Sequence, residues 1–235
     1  MVCAVAPAGP HQPRLRQLNT AKLNGDNAMD VIEAMNSCRA IRYFTNDPIS
    51  DEVLDGLIHA ATRAPNPGNS QGWDFVIITD TAIKSALSES IAAVIGSVVK
   101  GMEDAVGGAD NMEPVESRML GGALNLASTL ADVPAIILVC GRAVYPVAAP
   151  NEMMVWSALY PAAQNILLAA RAQGIGSCFT TFHGMCEPQL RDLLNIPEDV
   201  HIAAFIPLGY PDTDKVNFGP LARKPVEDVI HRNGW

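Results

Sequence analysis

Two arginines three residues apart, Arg39 and Arg42, stand with Ala40 and Ile41 between them in a chain carrying 16 basic and 25 acidic residues. Guanidinium groups bind phosphate through paired donors, so such a pair can converge on one anion. A solvated basic turn at a helix end is the plainer alternative. A second basic pair, Arg223-Lys224, precedes Pro225 near the C-terminus. Asn69 and Gln71 sit in a turn-forming run from Ala64 to Trp73, and their amides offer both donors and acceptors, as the edge of a heterocyclic ring requires. Turn polarity alone accounts for either amide taken singly.

Other motifs fail on context. Gly68-Asn69-Ser70-Gln71-Gly72 fits the G-x-S-x-G nucleophile elbow, which turns from strand to helix, whereas this run leads from helix to strand. Neither His201 nor His231 is placed as a base for Ser70, so a serine hydrolase is the weakest reading. Gly174-Ile175-Gly176 follows a helix and lacks a third glycine, which makes it a helix stop and not a dinucleotide fingerprint. The five histidines form no close pair and His183 with Cys186 is an incomplete set, so no metal is expected.

The elements that must position these residues follow from periodicity. Met29 to Arg39 and Ile49 to Ala64 read as helices, the second capped by Ser50 and carrying an apolar stripe through Val53, Leu54, Leu57, Ile58 and Ala61. Phe75–Ile78, Ala135–Val139, Ser177–Phe182 and Ile202–Leu208 read as strands. Thr81 to Val99 and Val115 to Leu130 read as helices around an acidic, glycine-containing stretch, so residues 101–130 are a candidate lid. Asn151 to Gln173 is a long helix that Pro161 should kink and Gly174 should end. Glu187 to Leu194 is a short helix with Pro188 at its start. Helices and strands mix without regular βαβ alternation, which predicts an α+β fold with a mostly antiparallel sheet flanked by helices.

Composition sets the limits. A chain of 235 residues, 49% hydrophobic, can bury one core, with residues 29–235 as the domain and residues 1–28 as an N-terminal arm, loose or lying on a partner subunit. A net charge of −9 argues against nucleic acid and anionic membranes as partners. Five cysteines without metal or disulfide spacing fit a reduced, cytoplasmic compartment. A structureless polar tail over residues 211–235 is long for a compact domain, and its apolar Val226, Val229, Ile230 and Trp235 need a surface to cover.

Arg39-x-x-Arg42-x-Phe44, Ala64-Pro65-x-x-x-Asn69-x-Gln71-x-Trp73, Ala163-Gln164-Asn165 before Gly174-Ile175-Gly176-Ser177-Cys178, Leu208-Gly209-Tyr210-Pro211 and Arg223-Lys224-Pro225 together resemble the FMN-dependent nitroreductase family in order and spacing. The resemblance covers residues 29–235. It implies an interlocked α+β homodimer with two FMN sites at the subunit interface, each tail wrapping the partner. It also implies that the segment holding Arg39, Ala40 and Arg42, with Arg223 and Lys224, takes the FMN phosphate, that Asn69 and Gln71 address the ribityl chain and ring edge, and that Thr180 and Thr181 face N5 through a backbone N–H or a hydroxyl. No side chain is then required as a catalytic group, because the flavin carries the redox chemistry. Implied with it is a ping-pong exchange in one pocket, NAD(P)H giving electrons that pass to a nitroaromatic or quinone-like acceptor.

The chain departs from the family pattern at Cys38, where many relatives have arginine, at Ala40, where they have serine, and at Gly72, where they have proline. Two phosphate contacts are thereby lost at about 1.5–3 kcal/mol each, so FMN should bind less tightly than usual. Flavin-dependent dehalogenases of iodotyrosine type share the paired threonines, but their lid Glu, Tyr and Lys set is missing. No lysine lies between Lys100 and Lys215, and no tyrosine between Tyr43 and Tyr145. A non-enzymatic flavin-binding protein is a further alternative, which steady-state NAD(P)H oxidation separates from a reductase.

Overall fold

Asp30 starts the first helix by accepting the N–H groups of Ile32 and Glu33, but α1 (Val31–Ser37) is only two turns long. The computed structural model describes residues 29–235, and the N-terminal arm of residues 1–28 lies outside them. α1 ends because Cys38 turns extended, so Arg39 and Arg42 do not lie on a helix end as the periodicity predicts. The Ser50 hydroxyl caps α2 (Asp51–Ala61) through the Val53 N–H, and the predicted stripe is buried at Leu54, Leu57 and Ala61.

Four strands, β1 (Trp73–Ile78), β2 (Ala135–Gly141), β3 (Gly176–Ser177) and β4 (His201–Gly209), form one sheet in the order β1-β2-β4-β3 with every pair antiparallel. β2 is buried at every position because helices cover both faces. Ala135, Ile137 and Val139 enter one core, with Leu57 of α2 and Leu159 and Ile166 of α5 (Glu152–Ala172). Ile136, Leu138 and Cys140 enter the other, with Leu87 and Ile91 of α3 (Thr81–Val106), Leu126 of α4 (Pro114–Ser128) and Leu190 of α6 (His183–Leu194). The register slips between Val139 and Cys140, and the resulting irregularity puts Ala203 and Ala204 in the same core while Ile202 and Phe205 face the other. The predicted α+β class and its antiparallel sheet are thus observed.

Three expectations need correction. The third strand does not run from Ser177 to Phe182: β3 is two residues long, and Pro207 of β4, which has no N–H to give, interrupts the ladder before Thr180 bridges back to Phe205. α3 continues to Val106, well past Val99, so the stretch predicted to be acidic loop is half helix, and the chain turns only at Gly107 and Gly108, both at positive φ. α6 begins at His183, not Glu187, and breaks its helical geometry at Cys186, two residues before Pro188. α5, by contrast, runs through Pro161 without a break. Gly174 stops it as predicted, with φ +72° and the Ile175 N–H returning to the Ala170 carbonyl at 2.9 Å.

α3 is long and apolar enough by length and composition to cross a membrane, yet its Leu87, Ile91 and Ile95 face is buried in the second core. Lys84 on the same helix is buried as well. Its ammonium donates to the Val133 carbonyl at 2.6 Å, and burial lowers its pKa against the pull of Asp132 and Asp80.

Candidate functional site

The segment after α1 adds to the free edge of β3. Ala40 pairs with Ser177 in parallel, the Ile41 N–H donates to the Ser177 carbonyl at 2.9 Å, and Ile41 is fully buried. Its side chain lies flat on Gly176, where an added Cβ would stand 2.8 Å from Ile41 Cγ2. Anchored there, the flanking Arg39, Ala40 and Arg42 line a cavity of about 950 Å³. α4 also lines it, through Val115, Arg118, Met119 and Gly122, and the tail contributes Lys215 and Leu221. That volume lies at the upper end of what small-molecule sites offer.

The cavity is electropositive in an acidic protein. Arg39, Arg42, Arg118 and Lys215 line it, and among the described residues no carboxylate does. Of the four, only Lys215 has an ion pair among the described residues, to Asp212 at 2.7 Å. That contact holds the Asp212 carboxyl below, and the Lys215 ammonium above, its ordinary pKa. Arg39 Nε is buried and lacks any hydrogen-bond partner among the described residues, a state that ordinarily costs free energy. The Arg42 guanidinium lies beside the Cys178 thiol, whose pKa burial raises and Arg42 draws back. The Arg42 carbonyl accepts from Asn125 Nδ2 of α4 at 3.0 Å. A Cβ on Gly122 would come within 3.2 Å of Arg42 Cδ, so a glycine lets helix and arginine approach.

The remaining predicted residues do not reach this cavity within the single chain. Asn69 and Gln71 are exposed on the loop before β1, both with left-handed backbones (φ +50° and +49°) next to Gly68 at +59°. The loop is held by the Gln71 N–H donating to Asn66 Oδ1 at 2.8 Å and the Gly72 carbonyl accepting from the Arg142 N–H at 2.8 Å. The loop packs closely here, since a Cβ on Gly72 would meet Val144 Cγ2 at 2.5 Å and the Arg142 carbonyl at 3.0 Å. Thr180 is buried, and both its hydroxyl and its N–H donate to the Phe205 carbonyl, which leaves the exposed Thr181 as the threonine open to a ligand. Arg223 and Lys224 are exposed on the tail. Ser70 lines a crevice of only about 10 Å³ that holds no histidine, and His201 instead stands 3.7 Å from Glu152.

Sequence reasoning missed Arg118 and Lys215. Lys215 carries no local signal, but Gly122 inside an amphipathic helix does, because an interior glycine costs about 1 kcal/mol relative to alanine and here permits the close approach of Arg42.

The model of the Nitroreductase family matches residues 36–210, from the end of α1 to the residue after β4. The chain belongs to the Nitroreductase family. It is 30% identical over 200 residues to the "Putative NADH dehydrogenase/NAD(P)H nitroreductase" of Archaeoglobus fulgidus, covering 84% of this chain and 94% of that one. A second branch is represented by human iodotyrosine deiodinase 1, 24% identical over 86% of this chain and 68% of the relative. Among solved structures, a nitroreductase with bound FMN from Desulfitobacterium hafniense superposes with a TM-score of 0.62 at 19% identity, over 87% of this chain and 98% of that one. The family match contains the arginine segment, the amide loop and the paired threonines and stops short of Arg223 and Lys224.

Proposed function

We propose that the chain is an FMN-dependent oxidoreductase of the Nitroreductase family, passing electrons from NAD(P)H to nitroaromatic or quinone-like acceptors in the cytoplasm. The observation that carries the reading is a cavity that, among the described residues, has no carboxylate in its lining and holds Arg39, whose buried Nε has no partner there, together with Arg42. A phosphate monoester dianion satisfies both guanidinium groups with charge-assisted hydrogen bonds, so the residues present fit the group. The cofactor and the donor are those in the names of solved relatives, an NADPH:FMN oxidoreductase from Vibrio harveyi among them.

Bound FMN supplies electron acceptance and release at its ring, and the chain supplies position and field. Arg39 and Arg42 hold the phosphate end, and the Ile41–Gly176 contact fixes their spacing. Asn69 and Gln71 offer amides to the ribityl chain and ring edge, and Thr181 offers a hydroxyl and an N–H to N5. Arg223 and Lys224 reach a phosphate only across a subunit boundary, with the tail laid on a second copy. Val226, Val229, Ile230 and Trp235 of that tail are exposed, as are Met153 and Tyr160 on α5. Dimerisation would cover these apolar groups and bring the two halves of each site together.

Steady-state NAD(P)H oxidation at several fixed nitroaromatic concentrations is expected to give parallel double-reciprocal lines with mutual competition. Intersecting lines, with both ligands bound together, would refute a shared pocket. Cutting the chain after Gly219 is expected to yield a monomer with little flavin; a truncated chain that sediments as a flavin-loaded dimer would refute tail exchange. Reductive dehalogenation is the second reading, favoured by the deiodinase relatives, and turnover of an iodinated tyrosine without nitroaromatic reduction would select it.

A further inference from the structure

Two guanidinium groups do not exhaust a phosphate dianion, and the neighbours of Arg39 and Arg42 on their own strand add nothing: Ala40 has no side-chain donor, and the Cys38 thiol is turned to the Leu167 carbonyl of α5. The cavity's other free guanidinium comes from α4. Residues 115, 118, 119 and 122 share one face of that helix, the face that lines the cavity. Gly122 abuts Arg42 Cδ, and Arg118 stands four residues away, about 6 Å along the axis. The Arg118 side chain leans toward the helix N-terminus, and both it and Arg42 line the same cavity, so one anion there is within reach of two long, flexible guanidinium arms. Arg118 is exposed and has no ion pair among the described residues.

The geometry points to Arg118 as the third guanidinium of the FMN phosphate clamp, delivered from α4 across the cavity, so that binding the phosphate fastens the α3–α4 hairpin over the site. This rests on the flavin reading above. Asn125, hydrogen-bonded to the Arg42 carbonyl, holds one end of α4 to the arginine strand. The Arg118 end has no such tie among the described residues, and the ligand supplies one. The contact falls within the residues expected to form a lid, and the ordering of the first turns of α4 becomes linked to the phosphate and not to the ring.

The test uses the full chain with FMN and with riboflavin, which is the same ligand without the phosphate. Fluorescence titration should show Arg118→Ala weakening FMN about tenfold, the worth of one charge-assisted hydrogen bond, with riboflavin affinity unchanged. Arg118→Lys should restore part of the loss. Hydrogen exchange of the amides in residues 114–128 should slow on adding FMN to wild type, and neither on adding riboflavin nor on adding FMN to Arg118→Ala. Equal FMN affinity in wild type and Arg118→Ala, or equal losses for both flavins, would overturn the role of Arg118 and leave the flavin reading standing. Wild type that binds neither flavin would overturn both.

Discussion

Arg42→Glu is expected to lower FMN affinity a hundredfold or more, with reductase activity falling in step. The change removes a charge-assisted contact and sets a carboxylate against a dianion, together about 3 kcal/mol or more, and about 1.4 kcal/mol is tenfold in affinity. Arg42 does not hold the fold by its charge, since no carboxylate pairs with it among the described residues, so the variant should fold. Flavin retention through desalting and the oxidation rate of NAD(P)H are the measurements. Ser70→Ala is the matched control. As a loop hydroxyl Ser70 is worth roughly 0.5–1.5 kcal/mol, and most activity should persist at saturating FMN. A hydrolase would show the reverse, losing ester cleavage in Ser70→Ala and keeping it in Arg42→Glu. An Arg42→Glu protein that keeps its flavin would show that the phosphate is held elsewhere.

Gly176→Val is expected to damage stability and cofactor binding together. The Cβ alone would stand 2.8–3.1 Å from three carbons of the fully buried Ile41, and the two methyls beyond it add to the crowding. Overpacking of this kind costs about 1–3 kcal/mol, which lowers Tm by roughly 2–4 °C per kcal/mol in a chain of this size. Ile41 can escape only by lifting its strand from β3, and Arg39 and Arg42 move with it. FMN should therefore bind more weakly than lost stability alone explains. Gly184→Ala, where an added Cβ meets nothing within 4 Å, should leave both quantities unchanged. A Gly176→Val protein of wild-type Tm and wild-type FMN affinity would contradict the strand-anchoring account.

What could be read from residues alone follows the range of the forces concerned. The α2 cap, the Gly174 stop and the continuous apolar runs of β2 and β4 are local, and the sequence reading finds all of them. The arginine segment defeats it because helix and strand compete there, and the outcome is set by Gly176, far along the chain. Arg118 is legible only as a charged residue on a helix, since its meaning depends on Gly122 resting against Arg42. Thr180 and Thr181 look equivalent in sequence. The bridge to Phe205 separates them, engaging one and exposing the other.

The loop before β1 has a further consequence. Left-handed backbone at Asn69 and Gln71 costs each residue of order 1 kcal/mol, and an unrestrained chain would relax it. The Asn66 carboxamide and the Gly72–Arg142 pairing hold it, so folding has already met the cost of this backbone conformation. A ligand that meets this loop finds its backbone already set, and only the side-chain torsions of Asn69 and Gln71 are left to order on binding.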